Sequence, residues 1–316
     1  MTTIDTANTV TTVSAAPAPA RTATATTVLL CAPEHYDVTY AINPWMDPSV
    51  PTDTALALEQ WRALRDTYRS IGFVVHEIEP GEGLPDMVYA ANGATVVDDV
   101  AYSASFRYPE RQPEADAYAA WLSAHGLRVV PATHINEGEG DFLVVGDVVL
   151  AGTGFRASLE SHHEGSRVLN REFVTLTLVR PEYYHLDTAI AVLDARPGHE
   201  RIAYLPSAFD AASLAVLRER YPDAIIVSEQ DAAVLGLNVV SDGLHVVMPV
   251  QAGDFAEQLR AEGFEPVQVN LSELLKAGGG VKCCTMALRF SRPTDLSPDP
   301  RSIAVPSATT TATIPE

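Results

Sequence analysis

The sequence is poor in cysteine, in positive charge and in long apolar runs, and each shortage removes a class of protein. Three cysteines in 316 residues, two of them adjacent, do not make a disulfide framework, so a reducing, cytoplasmic setting is expected. A formal net charge of -20 leaves no basic footprint for nucleic acid or an anionic membrane. A cationic small molecule remains electrostatically allowed. No run approaches the roughly 18 apolar residues of a membrane span, and the Thr/Ala/Pro-rich first 26 residues lack the basic start and apolar block of a secretory signal. No glycine-rich phosphate fingerprint follows the first apolar run. Ser161-His162-His163-Glu164 is rich in ligand atoms, but no second cluster has structural-zinc spacing. Neither a metal nor a cofactor is expected.

What is present is a globular composition, 47% hydrophobic and 20% charged, between two biased ends. Residues 1–26 and 291–316 read as disordered tails, which leaves a single folded domain over 27–290. Thr27 to Cys31 is a short apolar strand closed by Pro33. Asp53 caps a helix of about 17 residues in which Leu56, Leu58, Trp61, Leu64 and Tyr68 recur at helical spacing. Thereafter a pair of short strands, a helix and a strand return about every 50 to 60 residues. The first round has strands at Ala94 to Val97 and Val100 to Ser103, a helix at Glu114 to His125 and a strand at Leu127 to Val130. The next places its helix near Arg167 to Phe173 and its last strand at Thr175 to Val179. Such a period suggests a radial or stacked α/β architecture, and the frequent hairpins fit a doubly wound sheet poorly.

Chemistry-bearing residues gather in four places. Asn136 to Asp141 holds three carboxylates, and extended geometry would put Glu137, Glu139 and Asp141 on one face, where like charges need a cation, a metal or water. His185 and Asp187 are two apart and can point into one cleft, the carboxylate orienting the imidazole. Gly278-Gly279-Gly280 precedes Cys283-Cys284; such thiols are either packed core residues or one of them opens on a site, with the glycines leaving room for a ligand. Arg107, Arg111 and Arg156 sit in loops where a guanidinium could clamp a carboxylate or simply face solvent.

Taken in order, Leu84-Pro85-Asp86-Met87-Val88, the acidic motif, His185-Leu186-Asp187-Thr188 and the glycine run before Cys283 resemble the guanidino-group-modifying enzymes: arginine deiminase, dimethylarginine dimethylaminohydrolase, the amidinotransferases and arginine dihydrolase. The likeness covers nearly all of residues 27–290. It implies a five-bladed α/β-propeller of ββαβ units and a cofactor-independent hydrolase with a covalent cysteine intermediate. By that resemblance Cys283 is the nucleophile, His185 the proton donor and then the base, and Glu137 and Asp187 hold the guanidinium. Arg111 and Arg156 match positions that bind the substrate carboxylate, and Asn43 lies in the loop over it. The acidic motif is a residue longer than the family's Glu-Gly-Gly-Asp form, so Glu139 stands as an alternative to Glu137. Asn92 occupies the place where deiminases and dimethylargininases usually carry aspartate, and looks more like the arginine dihydrolases, which hydrolyse twice to give ornithine, and like succinylarginine dihydrolase. The other implied activities are a single hydrolysis to citrulline and amidino transfer. A non-enzymatic binding propeller would lack the Cys/His/acid set. The partner implied is a small guanidino compound, with homo-oligomerisation left open.

Overall fold

A computed structural model describes residues 20–291. Five three-stranded sheets are built to one plan. An inner strand turns back antiparallel into a middle strand, and a helix then crosses over to an outer strand parallel to the middle one, as a parallel pair requires. In the second blade Ala94–Val97 pairs with Val100–Ser103 across Asp98 and Asp99, both at positive φ, as in a two-residue hairpin turn. Helix Gln112–Ala124 then delivers Arg128–Val130 parallel to the middle strand. The third blade uses Phe142–Val145, Val148–Thr153 and Glu172–Thr177, the fourth Ile190–Asp194, Arg201–Tyr204 and Ile225–Ile226, and the fifth Val240–Ser241, His245–Pro249 and Glu265–Val269.

The first blade is assembled from both ends of the described chain. Thr27–Cys31 is its middle strand, paired parallel to Val74–Ile78, and its inner strand is Met286–Ala287, which arrives last and pairs antiparallel to it. The inner strands of the first and second, third and fourth, and fourth and fifth blades touch one another, and inner strands are buried on both sides, Ala94–Val97 and Phe142–Val145 throughout. That is why they read as continuous apolar runs rather than alternating ones. The result is the five-bladed α/β-propeller, with helices on its outside.

Local signals account for most elements, and the departures have local causes. Asp53 caps helix Thr54–Ser70 by accepting from the Leu56 amide, and Ala57, Gln60, Trp61, Leu64 and Tyr68 form its buried face. Leu56, expected on that face, is exposed because it lies one residue, about 100° of helix rotation, off the stripe of Ala57, Trp61, Leu64 and Tyr68. The third helix runs over Leu159–Leu169, earlier than expected, started by the Ser158 side chain and ended by Asn170 in the left-handed region. The strand after it accordingly starts at Glu172. His162 is buried on this helix against Thr175 Oγ1 and the Gly152 carbonyl. Of the stretch expected as an N-terminal tail, residues 1–19 lie outside the described residues. Arg21 bonds the Glu262 carbonyl and Thr24 that of Asp242. Ser291 bonds Asp99, and residues 292–316 lie outside the description. Among the described residues, no helix is long and apolar enough to cross a membrane.

Before each inner strand the chain makes a short turn, and all five turns lie at one end of the propeller axis. They carry Asn92, Glu137 with Glu139, His185 with Asp187, Asn238, and Cys283. At the opposite end of the inner strands is a cavity of about 630 Å³ lined by Leu143, Val192, Val240, Lys282 and Arg289 among others.

Candidate active site

The thiol is positioned by the chain around it. Gly278 has φ +79, and a Cβ on it would lie 2.9 Å from the Trp45 ring and 3.0 Å from Asn43 Oδ1. On Gly279 a Cβ would fall 2.0 Å from Tyr89, and on Gly280 2.9 Å from Asn238 Oδ1. The glycines therefore admit protein side chains rather than leaving room for a guanidinium, as the sequence suggested. Cys283 Sγ lies 3.2 Å from Asn238 Nδ2, which donates to it, and donates in turn to Asp187 Oδ2 at 3.4 Å. Burial, and then the Asp187 charge, raise the Cys283 pKa well above its usual value, so the resting group is the thiol. Cys284 is fully buried in an apolar cluster with Val88, Leu274 and Val281.

The acidic motif does not present one face. Gly138–Gly140 is a single 3-10 turn with Gly138 at φ +53, where a Cβ would lie 2.7 to 2.8 Å from the backbone of Ala91 and Ala94. Its three carboxylates diverge in consequence. Glu137 Oε2 accepts from Arg156 Nη1 at 2.7 Å and His185 Nε2 at 2.8 Å. Asp141 Oδ2 turns back to the Glu137 amide at 2.8 Å. Glu139 takes Lys282 Nζ at 2.8 Å, the Ala287 amide at 2.9 Å and Arg289. These ion pairs sit between the thiol's turn and the far cavity.

Burial disfavours ionisation of Glu137, but Arg156 and His185 outweigh it and hold the pKa well below the carboxylate range. The same burial lowers His185 to about 4 in spite of Glu137, so the imidazole is neutral. An ionised carboxylate only accepts, so Nε2 carries the hydrogen and Nδ1 keeps its lone pair. Asp187 is raised to about 7 by burial, with the Lys282 charge pulling the other way. Its Oδ1 is buried without a hydrogen-bond partner.

Asn92 is fixed from both sides: Oδ1 accepts from Arg111 Nη1 at 2.9 Å, and Nδ2 donates to the Glu137 carbonyl at 3.3 Å. Arg111 is itself held by Glu114 at 2.9 and 2.8 Å and by the Asp86 carbonyl. Arg156 lies between the Tyr108 and Tyr184 rings, 4.7 and 4.6 Å from their centroids, and its Nη2 donates to the Ile42 carbonyl at 2.9 Å. Both guanidinium groups thus face protein acceptors, while Arg107 is exposed. Asn43 donates to Tyr184 Oη and the Ala277 carbonyl, and Trp45 Nε1 to the Glu182 carbonyl, which ties their loop across the His185 and Cys283 turns.

Cys283, Asp187 and Asn238 form one contact group, His185, Glu137 and Arg156 a second, and Asn92 joins the second to Arg111. His185 and Cys283 are not hydrogen-bonded; each faces its own carboxylate. Glu139 stands apart from both groups. Asn238 is the residue that motif reading passed over, although it precedes its inner strand as the other site residues do. Among the described residues, no group of three His, Cys, Asp or Glu could hold a metal ion.

No family model matches the chain. It is 54% identical over 256 residues to an N(G),N(G)-dimethylarginine dimethylaminohydrolase of Mycobacterium tuberculosis, covering 81% of this chain and 83% of that protein. It is 37% identical over 273 residues, 84% of this chain, to a bifunctional arginine dihydrolase/ornithine cyclodeaminase of Synechocystis, of which it spans 38%. The substrate-bound N-terminal domain of the cyanobacterial arginine dihydrolase ArgZ matches at TM-score 0.80 and 35% identity, over 84% of this chain and 98% of that one. A dimethylarginine dimethylaminohydrolase structure at 18% identity and TM-score 0.69 shows the shared fold. Propeller, polar turns and relatives agree: the chain belongs to the guanidino-group-modifying hydrolases, the superfamily of dimethylarginine dimethylaminohydrolase and arginine dihydrolase.

Proposed function

We propose that the protein hydrolyses the guanidinium of arginine through a covalent intermediate on Cys283 and carries the reaction on to ornithine. The observation behind this reading is Asp187, with one oxygen on the thiol and the other buried and unpartnered. A guanidinium supplies the missing donor and brings its carbon to the sulfur. Its charge also favours the thiolate.

The proposed reaction uses the two contact groups in turn. Once the guanidinium takes up the Asp187 carboxylate that holds the thiol in the resting site, the thiol proton passes to the free Nδ1 of His185, and Glu137 stabilises the resulting imidazolium. As sulfur bonds the guanidinium carbon, the C=N pair moves onto nitrogen and gives a tetrahedral adduct. The adduct expels a nitrogen, which takes the proton from His185 and leaves as ammonia. Water then gives a proton to His185 as its oxygen bonds the carbon of the amidino-thioether and the C=N pair moves onto nitrogen; the C–S bond breaks as the remaining hydroxyl proton leaves to solvent and the ureido C=O forms, and His185 returns its proton to sulfur. A second attack and a second hydrolysis release another ammonia and a carbamic acid, which loses carbon dioxide to give ornithine.

Asn92 supports the second round. A carboxylate there would grip a guanidinium but repel the lone pairs of a ureido oxygen, whereas an amide also offers donors. For the substrate carboxylate, Arg156 is the more available cation, because its Nη2 is held only by a backbone carbonyl. Single hydrolysis of a methylated arginine to citrulline is the second reading, favoured by the 54% identity to a dimethylarginine dimethylaminohydrolase. The free thiols fit a cytoplasmic location.

Incubation with arginine, dimethylarginine and succinylarginine, with products identified by mass, decides between them. Ornithine with two ammonia from arginine is expected, and Asn92→Asp should shift the product toward citrulline. Citrulline formed only from methylated arginine by the wild type would overturn the dihydrolase reading.

A further inference from the structure

Four of the five polar turns supply residues with roles in the reaction above; the turn before the fifth blade's inner strand supplies Asn238. Its side chain is fully buried within the otherwise apolar run Leu237-Asn238-Val239-Val240, where an unsatisfied amide would be costly. It is satisfied chiefly by the nucleophile's own turn. Oδ1 accepts from the backbone amides of Lys282 at 2.9 Å and Cys283 at 3.1 Å, and Nδ2 donates to the Asp187 carbonyl and to Sγ, each at 3.2 Å. Sγ thus lies between an acceptor, Asp187, which favours the thiol, and a donor, Asn238, which favours the thiolate.

We propose that Asn238 is a further catalytic residue: its Nδ2–H stabilises the Cys283 thiolate, and its Oδ1 fixes the turn that aims it. The inference deepens the proposed function, since it rests on Cys283 being the nucleophile. The hydrogen bond is strongest while sulfur carries charge, weakens when sulfur bonds carbon, and returns when the C–S bond breaks. It therefore lowers the cost of forming the nucleophile and of expelling it.

The test uses the full chain without substrate. Alkylation of Cys283 by iodoacetamide is followed against pH by intact mass, with Cys283→Ser identifying label on the other cysteines. Asn238→Asp keeps an oxygen to accept the two backbone amides but loses the donor, and Asn238→Ser serves if the aspartate variant does not fold. The expected result is alkylation about ten- to a hundredfold slower near neutral pH, a pH inflection moved upward, and kcat reduced more than KM. A folded variant, judged by thermal melting, that alkylates with the wild-type pH profile overturns the proposal. Wild-type protein that alkylates at Cys283 but turns over no guanidino compound refutes the proposed reaction and leaves Asn238's effect on the thiol measurable.

Discussion

Gly140→Ala is a test of how closely the polar turns of the candidate site are packed. Gly140 is not at positive φ, so alanine meets no backbone strain and the effect is purely steric. The added Cβ would lie 2.4 Å from Asn92 Nδ2 and 3.0 Å from His185 Nδ1, against an ordinary contact of 3.4 Å or more. Asn92 must therefore retreat by about 1 Å and the imidazole by a few tenths, since the turn itself is wedged between two blades. A displacement of about 1 Å at reacting groups costs on the order of 10²-fold in rate, and overpacking a tight site costs about 1–3 kcal/mol, or several degrees in Tm. Initial rates of ammonia release and thermal melting measure the two effects. Gly253→Ala is the control, because no atom lies within 4 Å of its added Cβ. A Gly140→Ala enzyme with kcat within about threefold of wild type would show that the Asn92–Gly140–His185 packing has no bearing on rate.

Two further outcomes follow from the same geometry. Cys283→Ser should reduce turnover to background, while Cys284→Ser, which buries a hydroxyl in an apolar cluster, should lose about 1–3 kcal/mol of stability and keep kcat; a dead, folded Cys284→Ser enzyme would contradict the assignment. His162 is held at about 4 by burial, so on acidification the unfolded chain takes the proton first. The stability of wild type relative to His162→Gln should accordingly fall by up to about 3 kcal/mol between pH 6.5 and 4, as urea melts at several pH values would show; a difference that does not change with pH would refute it.

Legibility in the sequence followed the range of the signal. The hairpin Ala94–Val97 with Val100–Ser103 and the helix capped by Asp53 depend on neighbouring residues and were readable. Helix Leu159–Leu169 was misplaced because its start is a serine cap in a polar stretch and Gly165 interrupts it, tolerated since a Cβ there would meet the Phe173 ring at 2.8 Å. The direction of Glu137 against Glu139 was hidden, because it depends on Gly138 adopting a positive φ between two blades. The Arg111–Glu114 pair was accessible from its spacing along the helix start. Asn238 carries no motif, and only the recurrence of a polar residue before each inner strand marks it.

The closing of the first blade has a consequence for the order in which the molecule comes into being. Cys283, the proposed nucleophile, sits three residues before Met286, which opens the strand joining the last part of the described chain to the first. A nascent chain can therefore complete four blades on the ribosome and still lack a working thiol. On the proposed reaction, competence arrives with the final seam, so turnover doubles as a report that the ring has closed.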